Sequence, residues 1–84
     1  MKVAEVVAAK NDLVTRGARV NVSRRNLARG FKVYLRVRAL GSASVFYTFV
    51  LPIIQRRWPE AYMTSGSFTR DSMDVTVALT KEAV

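Results

Sequence analysis

The groups that perform most acid–base and metal chemistry are missing from this chain, which has no histidine and no cysteine. The commonest general base near neutral pH is therefore absent, together with the commonest zinc ligands, disulfides and thiolate nucleophiles. Six carboxylates remain, Glu5, Asp12, Glu60, Asp71, Asp74 and Glu82, and only Asp71 and Asp74 lie close in sequence. Two carboxylates are the minimum for acid–base hydrolysis, but these two sit where a turn enters a strand, and solvation is the ordinary role of aspartate there. The four glycines, Gly17, Gly30, Gly41 and Gly66, are too widely spaced to cradle a phosphate. The reading is of a protein without catalytic residues, metal site or cofactor.

The chemistry that is present is cationic. The stretch RRNLARGFKVYLRVR, residues 24–38, carries six basic side chains and no acid, with two aromatics among them. No acid occurs anywhere between Asp12 and Glu60, an interval that holds ten of the fourteen basic residues. A net charge of +8 gathered in this way is the electrostatic footprint of a polyanion binder. Arginine outnumbers lysine ten to four, which suits bidentate phosphate contacts and stacking on bases, although a GC-rich genome also favours arginine.

These charges need elements to position them. Residues 3–16, VAEVVAAKNDLVTR, space Val3, Val6, Val7, Leu13 and Val14 as one helical face, and Gly17 stands where a C-cap belongs. From residue 18, Ala18, Val20 and Val22 alternate with Arg19, Asn21 and Ser23, the period of a half-buried strand. After Gly30 the alternation returns, with Phe31, Val33, Leu35, Val37 and Ala39 on one side and Lys32, Tyr34, Arg36 and Arg38 on the other. The two strands form a hairpin whose connection, RRNLARG, reads as a basic loop or as one helical turn capped by Ser23 and stopped by Gly30.

The uncharged run 39–55 raises the question of a membrane span, but only residues 45–54 are strongly apolar, about half of the ~20 residues a spanning helix needs. A buried core element fits better. The stripe of Ser44, Thr48 and Gln55, with Pro52 at its edge, favours a bent helix over residues 43–58, ended by Trp58 before Pro59. The alternative is a strand to Val50 followed by a short helix with Pro52 at its first position. Either way the segment is the main core donor, with Trp58 as an anchor, and its apolar character on most sides suggests a homodimer.

Near the end, SMDVTVALT alternates Met73, Val75, Val77 and Leu79 with Asp74, Thr76, Ala78 and Thr80, which marks a strand. The preceding SFTRDS offers a short pairing partner, and the terminal KEAV is expected to fray. Residues 1–84 thus form a single small α+β domain in the order helix, strand, strand, helix, strand, an antiparallel sheet with helices on one face and the other face open. The N-terminal MKVAEVVAAK lacks the features of a signal peptide, and together with the absence of cysteine this points to the cytoplasm.

The expected function is nucleic-acid binding, DNA or RNA with single strands slightly favoured, through Arg19, Lys32, Arg36 and Arg38 on phosphates and Tyr34 stacked on a base. Arg24, Arg25 and Arg29 would extend the contact from the connection, with little sequence readout. The competing expectation is a structural or inhibitory subunit, such as a virion or ribonucleoprotein component, whose basic face meets an acidic protein.

Overall fold

The computed structural model describes residues 3–27 and 30–80. Arg29 and the terminal KEAV, the subjects of two of the expectations above, lie outside the described residues, as does the side chain of Phe31. Helix α1 (Val3–Thr15) leads into strands β1 (Arg19–Leu27) and β2 (Gly30–Leu40). Helix α2 (residues 43–55) follows, and then β3 (Tyr62–Phe68) and β4 (Ser72–Ala78). The sheet is antiparallel throughout, in the order β1-β2-β4-β3, and the helices pack on one face of it. The domain is the α+β layer the alternation implies, with one strand more than the periodic segments account for. The partner of β4 is the whole of Tyr62–Phe68, longer than the short SFTRDS segment.

Helix α1 buries Val6, Ala9 and Leu13, at spacings of three and four, while Val7 and Val14 stay about half exposed and Val3 more so. Its end is a Schellman turn: the N–H of Ala18 bonds the Leu13 carbonyl, the N–H of Gly17 bonds that of Val14, and Gly17 takes φ +91°. That turn delivers the chain into β1 with Ala18 and Val20 facing the core.

The second helix is one continuous helix, the helical form of the two expected for this segment, and it ends at Gln55, three residues short of the expected end at Trp58. It begins as an α-helical turn at Ala43–Val45, widens to a π-helical segment at Phe46–Val50, and resumes as Leu51–Gln55. The widened turn comes just before Pro52, which has no N–H to donate and whose ring crowds the carbonyl four residues back, that of Thr48. The Phe46 carbonyl instead receives the N–H of Leu51, five residues on. Phe46, Val50 and Ile54 enter the core, where Trp58 also sits, and Gln55 donates to the Ala61 carbonyl at 3.1 Å to hold the exit loop. Against them lie Leu35, Val37, Met73, Val75, Val77 and Leu79 from the sheet. Full burial of a side chain of this size contributes about 1.5–3 kcal/mol, so this one cluster carries most of the domain's hydrophobic stabilisation.

Candidate nucleic-acid interface

The face of the sheet away from the helices is organised in rows, because residues directly opposite in an antiparallel ladder point the same way. At one end Arg19, Arg38, Asp74 and Ser67 stand side by side across the four strands. The next row is Asn21, Arg36, Thr76 and Ser65, and the third is Ser23, Tyr34, Ala78 and Tyr62. Beyond these, Arg25 faces Lys32 across β1 and β2 alone. The distance from the Arg19 row to the Arg25 row is six residues along β1, about 20 Å at ~3.3–3.4 Å per residue.

Five of the expected contact cations therefore share one face, with Tyr34 in the midst of them. The connection is different from its expected form. Residues 24–27 are neither a loop nor a helical turn: β1 runs on to Leu27 and pairs with β2 as far as Gly30. The ladder carries its register past the core because nothing ends it, with no proline and no bulge between Arg19 and Leu27. Arg24 consequently lies opposite Val33, on the helix side of the sheet, whereas Arg25 lies on the open side. Two adjacent arginines that a loop would have kept together are divided between the two faces.

The one carboxylate in the rows is Asp74. It accepts two bonds from Arg36, Nε to Oδ1 at 3.0 Å and Nη2 to Oδ2 at 2.7 Å, with both side chains about half exposed. Those hydrogen bonds, with the positive charges of Arg36 and Arg38, hold the Asp74 carboxyl below its ordinary value against a smaller desolvation effect, and the same pair raises the Arg36 guanidinium. Arg36 is thus committed to a partner from β4, while Arg19 and Arg38 face each other in register. The second salt bridge among the described residues, Arg57 to Asp12 at 2.9 Å, joins the end of α2 to α1 on the other side of the sheet. A shallow groove of about 350 Å³ runs over β2, β4 and β3, lined by Arg36, Ser65, Gly66, Ser67, Asp74 and Thr76.

Sequence reasoning did not include Tyr62 in the site. The ammonium of Lys32 donates to the Tyr62 hydroxyl at 2.9 Å and lies 5.4 Å from the centre of its ring, reaching across β4 to do so. The open face thus carries two tyrosines, on either side of Ala78. A signal was present: YMTSGSF is a short aromatic and β-branched segment bounded by Pro59 on one side and a turn on the other. The turn itself is fixed by Thr69, whose Oγ1 accepts the backbone N–H of Ser72 at 3.0 Å.

Among the described residues no group of three or more acidic, histidine or cysteine side chains is placed to hold a metal ion. None of the described helices is long and apolar enough to cross a membrane. Comparison with protein-family models, with curated proteins and with solved structures gives no match.

Proposed function

We propose that this protein binds nucleic acid as a non-enzymatic module, laying the phosphate backbone along the open face of its sheet. The observation that carries this reading is the direct pairing of Arg19 with Arg38 in a row whose single carboxylate, Asp74, is already bonded to Arg36. Like charges opposite each other across two strands destabilise a sheet, and a bound phosphate converts that repulsion into two attractive contacts. Arg25 and Lys32 extend the field to about 20 Å, enough to follow a backbone over several nucleotides. Backbone contacts of this kind position a strand without reading it, so sequence preference is weak.

The test is fluorescence anisotropy with labelled DNA and RNA, single-stranded and duplex, titrated over salt for the wild type and Arg19→Ala/Arg38→Ala. The expected result is binding whose logarithm falls linearly with the logarithm of salt, with a slope shallower by about 1.4–1.8 in the double variant, two contacts at ~0.7–0.9 each. Failure to bind any of the four at low salt overturns the reading and turns the search toward acidic proteins.

A second reading, assembly with another copy of the chain, is favoured by the exposure of Leu40, Tyr47 and Phe49, which remain 85%, 51% and 62% accessible. Phe49 and Leu40 border an apolar cavity of about 220 Å³ between α1, the sheet and α2. Sedimentation of the wild type against Phe49→Glu tests it: a dimer that becomes monomeric supports assembly through α2, and a monomeric wild type excludes it.

A further inference from the structure

The two edges of the sheet differ in chemistry. On β1, Arg19, Arg24 and Arg25 place positive charge along the edge, one of the ways a sheet avoids pairing with another chain. The other edge, β3, reads YMTSGSF and has neither charge nor proline, within a run from residue 61 to residue 69 that is uncharged throughout. Among the described residues β3 pairs with β4 alone, and residues 64–67 are exposed. A bulge at Thr64, where the register shifts between Met63 and Ser65, blunts one end of the strand and leaves residues 65–68 in regular register. These four lie at the turn end of the β3–β4 pair. The chain leaves the other end beside β2, with the N–H of Leu79 on the Val33 carbonyl at 3.0 Å.

The turn also fixes which backbone groups point outward. The N–H of Thr69 donates to the Ser72 carbonyl at 2.9 Å, and bonded and non-bonded pairs alternate along an antiparallel ladder. Ser67 with Asp74 is then the next bonded pair, so Phe68 and Gly66 turn their N–H and C=O away from β4. On the helix side the same edge is apolar. Met63 and Phe68 close over Gly66, where a Cβ would lie 2.8 Å from the Met63 sulfur and 3.3 Å from the Phe68 ring. The Tyr47 hydroxyl donates to that sulfur at 3.8 Å, its ring stands 6.4 Å from that of Phe68, and Tyr47 is still 51% accessible.

We infer that β3 pairs antiparallel with β3 of a second copy, about a two-fold axis at Gly66. Gly66 exchanges its outward N–H and C=O with the partner's Gly66, and Ser65 stands opposite the partner's Ser67. Of the two residues with outward groups, Gly66 lies nearer the middle of the uncharged run, whereas Phe68 is two residues from Arg70. A second copy is the occupant because a chain of net charge +8 repels itself over most of its basic surface and meets no like charge along this strand. The axis is perpendicular to the sheet, so the helices of both copies lie on one side and the open faces join into one of eight strands. Both outer edges are then β1, whose arginines oppose further addition, and assembly closes at two. One strand pairing with its flanking rings falls short of the ~800 Å² per partner of a standard interface, so the dimer is weak. This surface is distinct from the Phe49 side of α2, and the inference is independent of phosphate docking.

Sedimentation velocity from about 1 μM to about 1 mM tests it on the wild type, Ser65→Lys/Ser67→Lys, Ser65→Glu/Ser67→Glu and Phe49→Glu. The wild type and Phe49→Glu should dimerise toward the upper end of the range and go no further. Each serine double variant should stay monomeric, because it sets like charges opposite one another across the axis, and an equimolar mixture of the two should recover the dimer. Circular dichroism confirms that the variants keep the fold. Amide exchange at Gly66 and Phe68 should slow as the wild-type concentration rises. A wild type that is monomeric throughout overturns the pairing, as does a mixture that stays monomeric. A dimer lost in Phe49→Glu and kept in both serine variants overturns it in favour of assembly through α2.

Discussion

Asp74 makes the charge balance of the open face testable by a substitution that removes an acid rather than a base. In the wild type its carboxylate holds Arg36 through two hydrogen bonds and lies in register with Arg38, so it competes with any phosphate for both. Asp74→Ala releases Arg36 to the solvent side of β2. If the released guanidinium contacts one more phosphate, the slope of log K against log salt steepens by about 0.7 for a single strand and 0.9 for a B-form duplex. Over the range from 50 to 200 mM salt, a steepening of 0.9 widens the affinity ratio by about 3.5-fold, well within the resolution of anisotropy titrations. Affinity at the low end of that range should rise as well. The pair is surface-exposed, and such pairs add little to stability, so the melting temperature should change little. An unchanged slope, or weaker binding, would falsify the placement of the polyanion over β2 and β4, since the substitution removes the only carboxylate in the four rows of the described face.

Other consequences follow from the same geometry. Gly17→Ala places a Cβ at φ +91° with no heavy atom within 4 Å to clash with, so its cost is purely conformational, about 1–2 kcal/mol in urea denaturation. A wild-type stability from that variant would remove the Schellman turn from the account of α1. Leu35→Ala empties a fully buried position in the centre of β2 and should cost about 2–5 kcal/mol, a large part of the stability of a domain this size. Thermal unfolding measures it, and a loss under 1 kcal/mol would mean the core is not packed as described. The pKa of Asp74 is lowered in the folded chain, so its pair with Arg36 adds stability above the ordinary carboxylate value of 3.8. That contribution disappears as pH falls through the lower, folded value. With no histidine in the chain, the salt slope of nucleic-acid binding should be the same at pH 5.5 and pH 8. Repeated salt titrations at the two values check this, and a marked difference would mean that an unassigned titrating group shares the site.

Local order accounts for what the sequence by itself determined. Period-two alternation is a property of each strand alone, so Lys32, Tyr34, Arg36 and Arg38 could be assigned to one face of β2 without knowing their neighbours. The helical spacing of Val6 and Leu13 and the stop at Gly17 are equally local, and both are found where the residue types require them. Tertiary structure decided which charges meet. Asp74 lies 38 residues from Arg36, and only the insertion of β4 between β2 and β3 brings the two together. The same insertion carries Tyr62 within reach of Lys32, 30 residues away. The separation of Arg24 from Arg25 was hidden for a related reason: whether RRNL is loop or strand depends on the ladder it forms with residues 30–33, not on its own composition. Alternation can say which side of a strand a residue occupies, but the pairing of strands distant in sequence sets what stands beside it, and that pairing is settled by the burial of a shared core.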